Sequence, residues 1–427
     1  MRLPIFWTWT SPLQPDTAKA ARRVRLSRVA SSAGGAVVTQ FVLAGASLVL
    51  QAVAARFLGA EGFSHFVLIY GALVLGIALY TSWFGDALTV LDRFDPRIRA
   101  ALLRSLILGG AMVSGAVAVF GNVFLDGRET AAAATVAAAW VLNESVRRIY
   151  SARTAFWALA SNDAVGAAVT LATLTAIALL GGRLTLTQLF CAMAIGYIGA
   201  AVLGAMRQPR EELRNPGIRD AAVRDVAGFA AWRSLQAGVR PFSLLVSRVL
   251  VGSFGGATAL AGVEAARLLL APALTVANGS GSYFLSTFAS RNTSGRPPRS
   301  RDAVRGAAVL GGAVIAVGGT AVALTEPLSR LLTGGEFDVD VRAVLGWALY
   351  TTVFAATLPM TSLATARRRS RFVFGLRALE MSCGLGVLAA VLALNSAASW
   401  MAPYCLSAGG VITGLLLWAH LRRGDPQ

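Results

Sequence analysis

Apolar runs of about twenty residues follow one another almost without interruption along this chain, and each is long enough to cross the hydrocarbon core of a bilayer as a helix. Twelve such runs lie near residues 34–57, 64–88, 103–125, 131–150, 162–181, 185–206, 226–252, 258–286, 303–324, 343–366, 372–394 and 397–420. Of the 427 residues 56% are hydrophobic and 14% charged, too apolar for a soluble chain of this size. The expected fold is therefore an all-α polytopic membrane protein of about twelve transmembrane helices.

The net charge of +18 would suit a nucleic-acid binder if it formed one basic surface. Instead the positive residues fall in short clusters between the apolar runs, which is the pattern of a topology signal, and no nucleic-acid partner is expected. With twelve spans and both termini on one side, 30 of the 39 basic residues lie on that side, 4 on the other and 5 within spans. A wrong span count would reverse the assignment partway and destroy the asymmetry. Both termini are accordingly expected in the cytoplasm, and the use of arginine at every basic position but Lys19 fits a bacterial source.

The most polar inner connection, "RQPREELRNPGIRD", divides the spans into two sixes. The expected organisation is a cytoplasmic tail over 1–33, a first bundle over 34–206, a linker over 207–225, a second bundle over 226–421 and a short tail over 422–427. The first span ends "AARFLG" and the seventh "SRVLVG", so Arg56 and Arg248 hold matching places in the two halves. An even span count per half makes this a parallel repeat.

Several chemistries lack their parts. No glycine-rich run precedes the single lysine, which excludes a phosphate-binding P-loop. His65 and His420 stand near opposite membrane faces, so a histidine metal site or a Ser-His relay cannot be assembled from them. Cys191, Cys383 and Cys405 all sit inside apolar runs, and the "DVD" at Asp338 to Asp340 reads as a solvated outer loop. No cofactor, metal or catalytic group is expected.

The informative positions are the ionisable side chains at membrane depth, because each needs a partner or a cavity there. "AWRSLQAGVRPFSLLVSRVLVG" carries Arg233, Arg240 and Arg248 on one face of the seventh span. From an entry near residue 226 they lie about 10, 20 and 33 Å deep at 1.5 Å per residue. Arg233 can snorkel to the cytoplasmic mouth, and Arg248 is expected to pair with Glu264 across the short turn "FGGATAL", with Arg267 sharing that carboxylate one turn further on. Arg240 has no acid in its own half and adjoins Pro241, expected to kink the helix.

On the fourth span Glu144 either pairs with Arg147 or Arg148 along its own helix or lines a cavity and answers Arg240 from the other half. Gln40 and Gln51, eleven residues apart, form a polar stripe facing a cavity or a neighbouring helix. Asp86 is expected to pair with Arg93 or Arg97, and Arg377 with Glu380. The candidate substrate-binding set is thus Arg240, Arg233, Gln40, Gln51 and Glu144.

With "ARFLGAEGFSHF" closing the first span and "FGGATALAGVEAARLLLAPA" joining the seventh to the eighth, the chain resembles the polysaccharide-exporter branch of the superfamily that holds MATE exporters and lipid II flippases. The resemblance implies a Wzx-like flippase in a bacterial plasma membrane: two bundles in a V around a cationic cavity, moving polyprenyl-diphosphate-linked oligosaccharide outward by alternating access. Its implied partners are the lipid-linked glycan, membrane lipids and the glycosyltransferases or polymerase of the same pathway. The rival readings are a MATE-type antiporter, which usually carries an acid inside the first or seventh span, and a non-transporting scaffold of an envelope complex.

Overall fold

The computed structural model describes residues 15–181, 183–213, 220–293, 298–367 and 369–423, and among them the regular structure is entirely helical. Ten helices are long and apolar enough to cross a membrane. In chain order the long helices are α1 (Pro15–Phe57), α2 (Gly59–Tyr80), α3 (Pro96–Gly121), α4 (Gly127–Ala152), α5 (Phe156–Leu179), α6 (Leu186–Met206), α7 (Val223–Leu269), α8 (Ala271–Thr293), α9 (Ser300–Ala323), α10 (Val341–Ala366), α11 (Ser370–Leu394) and α12 (Ala402–Arg423). The two that fall outside the ten are α4, which carries Glu144, Arg147 and Arg148 in its apolar run, and α8.

The boundaries follow local chemistry. Asp126 and Glu129 form a reciprocal cap at the start of α4, and Thr185 with Gln188 does the same for α6. That second cap separates the fifth span from the sixth, where only "GGRLT" divides them in sequence. Asp95 caps α3 with Pro96 behind it, and Asp340, part of the outer "DVD", caps α10 through the Arg342 amide. The Asp340 carboxyl is held below its ordinary range by the Arg342 side chain that hydrogen-bonds to it.

Two features depart from the sequence reading. Residues 15–33, expected as tail, are helical and continuous with the first span; residues 1–14, 214–219 and 424–427 of the expected tails and linker lie outside the described residues. Beyond Tyr80, α2 passes through a π-helical turn, Thr81–Gly85, before its last helical turn, Asp86–Val90. Such turns insert an extra residue and re-aim the side chains around them.

The hairpin between the seventh and eighth spans sits inside α7. Gly256 has φ 80° and ψ 177°, a conformation that only glycine adopts without strain. A straight helix would separate Arg248 from Glu264 by about 24 Å, yet they lie 3.0 Å apart. The chain therefore folds back at Gly256, and the second arm continues through Leu270 into α8. Counted this way, the helices make twelve passes.

Within the first six helices the closest packing is of α3 on α4, α4 on α6, α5 on α6 and α1 on α5; within the last six it is of α9, α8 and α12 on α10, and of α11 on α12. The two groups meet chiefly through α2 and α7. Gly71 on α2 leaves room for the Arg248 guanidinium, and Gly238 on α7 receives Leu75 and Leu79. At the face opposite the termini, Arg56 donates to the Leu331 carbonyl (3.1 Å) and Phe63 stacks on Phe337 with centroids 5.9 Å apart. Replacing Gly256 by Ala should cost about 1–3 kcal/mol of stability through backbone strain alone, read as a lowered thermal midpoint of the detergent-purified protein; an unchanged midpoint would mean that the turn is made elsewhere.

Candidate functional site

Three polar centres lie within the helical bundle. The first joins the two groups of helices near the face opposite the termini. Glu264, buried at 3% exposure, accepts hydrogen bonds from Arg248 Nη2 (3.0 Å) and Arg267 Nε (2.8 Å). Arg267 Nη2 also donates to Gln51 Oε1 on α1 (2.8 Å), whose amide donates in turn to Ser47 Oγ (3.0 Å). Ser47 Oγ stands 2.9 Å from the Tyr70 hydroxyl on α2. One carboxylate thus serves two guanidiniums, and the chain of bonds runs from the hairpin of the second half into the first.

The second centre is a cavity of about 470 Å³ between α7, α8, α10 and α11. Arg240 lines it with Nε 3.3 Å from the Tyr350 hydroxyl and Nη1 3.4 Å from Asn278 Oδ1. Its guanidinium carbon lies 3.6 Å from the centroid of the Phe354 ring, a cation–π contact. No described carboxylate pairs with it. Arg377, on α11, lines the same cavity, donates to Glu380 (2.8 Å) and Thr357 (3.1 Å), and sits 5.8 Å from the same Phe354 centroid. The two guanidinium carbons are therefore less than about 10 Å apart, close enough for both to reach one phosphate-rich group.

The third is a cavity of about 340 Å³ inside the first half, lined from α1, α2, α4, α5 and α6. On its wall Glu144 accepts from Arg147, from Arg148 Nε (2.7 Å) and from Thr81 Oγ1 (3.2 Å) in the π-helical turn. Arg147 Nε also donates to Asp163 Oδ1 (2.8 Å). Gly85 packs against the Arg148 side chain, so the π-helical turn supports this cluster from the other side.

The structure separates several residues that the sequence reading had grouped. Glu144 is engaged by its own helix and by α2 and α5, in a different cavity from Arg240, and so does not answer it across the halves. Arg233 lines neither cavity; it pairs with Asp86 (2.6 Å) across the α2–α7 contact, half exposed. Asp86 is thereby drawn away from Arg93 and Arg97, because the π-helical turn ends α2 facing α7. Arg93 pairs instead with Glu212 at 3.2 Å. Gln51 is buried while Gln40 is exposed, so the stripe divides into a bond to Arg267 on the second arm of α7 and a peripheral amide. Pro241 stays inside a helix that keeps its dihedrals on both sides.

Two members of the cavities escaped sequence reasoning. Asp163 was not singled out, and Arg377 was expected only as half of a local pair with Glu380. The signal was present, since both stand inside apolar runs; which cavity each faces is a property of helix packing.

The chain matches no protein-family model and no curated protein sequence. Solved structures are another matter. An inward-facing multidrug-resistance MATE family transporter of the MOP superfamily matches with a TM-score of 0.67 at 14% identity, over 91% of this chain and 96% of that one. The fold is that of the MATE transporters. A MOP superfamily transporter from Pyrococcus furiosus, reported to have a binding pocket of reverse polarity, matches at 0.65 with 12% identity over 92% and 94%. An outward-facing MATE transporter matches at 0.64 with 10% identity over 92% and 93%. At these identities the likeness is one of architecture.

The Glu264 centre gives a direct test. Glu264→Ala strands the buried Arg248 guanidinium and frees the partly buried Arg267, and should destabilise by roughly 3–5 kcal/mol, whereas Arg267→Ala leaves the Arg248 pair intact and should cost less. The yield and thermal midpoint of purified protein would report the difference, and equal behaviour of the two variants would contradict the shared-carboxylate arrangement.

Proposed function

We propose that this chain moves a polyprenyl-diphosphate-linked oligosaccharide from the cytoplasmic to the outer leaflet of a bacterial plasma membrane by alternating access. The observation that carries the proposal is Arg240. It is a guanidinium at membrane depth, on a cavity wall, held by an aromatic face and two neutral oxygens rather than by an acid. A guanidinium without a countercharge at membrane depth is costly unless water or a ligand of opposite charge completes the site. A diphosphate does so through charge-assisted bidentate hydrogen bonds, and Arg377 supplies a second fork from the facing helix.

In this reading the arginine-rich loops and both termini face the cytoplasm. The glycosyltransferases or polymerase that make and use the glycan would be the functional neighbours. The lipid tail would remain in the membrane while the head group passes between the helix groups.

A MATE-type drug or cation antiporter is the second reading, favoured by the multidrug transporters among the structural neighbours. It differs in the sign of the ligand. No acid among the described residues lines the cavity holding Arg240 and Arg377, and the nearby Glu380 is already engaged by Arg377, which leaves the cavity repulsive to cations.

Translocation of a fluorescent polyprenyl-diphosphate sugar in proteoliposomes separates the two. Arg240→Ala should slow it by tenfold to a hundredfold, the loss of about 1.5–3 kcal/mol from a charged hydrogen-bonding pair, with protein incorporation unchanged. Unimpaired translocation in that variant, or ethidium efflux by the parent protein without any glycolipid movement, would favour the antiporter.

A further inference from the structure

On the face that carries the termini, three segments of the second half close on one point. Arg367, just past the end of α10, donates to the Pro298 carbonyl ahead of α9 (2.9 Å) and to the Leu421 carbonyl near the end of α12 (3.5 Å). Arg369 is hydrogen-bonded to His420, and Phe372 on α11 stacks on the His420 ring with centroids 4.2 Å apart. The start of α9, the α10–α11 connection and the end of α12 are thereby gathered into one surface. It exposes Arg301, Arg305, Arg369, Arg371, Arg422 and Arg423, none of which forms an ion pair with a described acid. Asp302, the acid that these segments carry among the described residues, is engaged by Arg291 (3.7 Å) and by the Arg299 amide (3.2 Å).

The first half does the opposite on the same side. Arg93 pairs with Glu212 (3.2 Å), Arg153 donates to Gln208 (2.6 Å) and Arg99 to the Glu211 carbonyl (2.7 Å), all on the connection between the halves. Arg233 is matched by Asp86. Unmatched guanidiniums gathered at one end of the second half therefore take their countercharge from outside the chain.

Two helices fix the level of this surface. On α12, Leu415, Trp418 and Arg422 follow at three- and four-residue spacing and share a face, with Leu415 61% and Trp418 37% exposed. The Arg422 guanidinium carbon lies 4.1 Å from the Trp418 ring centroid. On α9, Arg301, Arg305 and Val309 repeat at four-residue spacing, with Val309 76% exposed. Exposed apolar side chains toward the span, a tryptophan at the boundary and arginines one turn beyond are how a helix enters the headgroup layer of a bilayer. The arginines thus lie level with lipid phosphates, where a soluble polyanion or an acidic protein would have to push between lipids.

We propose that this surface binds the headgroups of anionic phospholipids, its guanidiniums meeting phosphate oxygens through charge-assisted hydrogen bonds. The proposal is independent of the flippase reading. A lipid held here contacts the ends of α10 and α11, two of the helices that wall the cavity of Arg240.

Native mass spectrometry of the full-length protein released from mixed micelles tests this, with dioleoyl-phosphatidylglycerol and dioleoyl-phosphatidylcholine as probes. Phosphatidylglycerol should be retained at about tenfold lower concentration than phosphatidylcholine. The variant R301Q/R305Q/R422Q/R423Q should lose that preference, whereas the same change of charge in the first half and its connection, R97Q/R207Q/R210Q/R224Q, should keep it. If the first variant does not accumulate, R422Q/R423Q, at the exposed end of α12, should lower the preference about threefold. Equal retention of the two lipids, or equal loss of the preference in both fourfold variants, would overturn the proposal. Displacement of phosphatidylglycerol by an equimolar amount of glycerol 3-phosphate or of a polyglutamate peptide would also overturn it, assigning the surface to a soluble phosphate or to an acidic protein segment.

Discussion

The carboxylate of Glu264 is what allows the two halves to meet as they do. A guanidinium in the low-dielectric interior must be neutralised within a few ångströms, and here two of them, on opposite arms of the α7 hairpin, find the same acid. That requirement fixes the hairpin at Gly256, brings Arg248 against Gly71 of α2, and leaves Arg267 a free nitrogen with which to reach Gln51 on α1. Packing between the halves at this level is thus organised by charge satisfaction, with the apolar contacts of α2 and α7 filling in around it.

The same rule distributes the other charged side chains among the helices. Glu144, Arg147, Arg148 and Asp163 form a closed set inside the first half, and Arg377 with Glu380 a smaller one in the second. Arg240 is the exception. It is compensated by an aromatic ring, a phenol and an amide, partners that hold a guanidinium in place without cancelling its charge. One half thus holds a cavity whose wall charges are balanced and the other a cavity with an uncompensated guanidinium.

Much of this was legible in the sequence. The run of apolar helices and the pairing of Arg248 with Glu264 follow from apolar length and residue spacing, both one-dimensional quantities. Depth along a helix is also readable, at 1.5 Å per residue, which is why Arg240 stood out. What could not be read was which neighbour each face meets. Asp86 met Arg233 instead of the arginines nearest in sequence, because the π-helical turn at Thr81–Gly85 rotated it toward α7. Glu144 and Arg240, matched in depth, face different cavities.

The sequence by itself determined that the chain is a bundle of helices long and apolar enough to cross a membrane, because the bilayer imposes a length on every span and a cost on every charge. The tertiary structure alone decided the grouping of polar side chains into one shared carboxylate and two separate cavities. The azimuth of each helix is set by contacts with four or five others at once, and no single stretch of sequence carries that information.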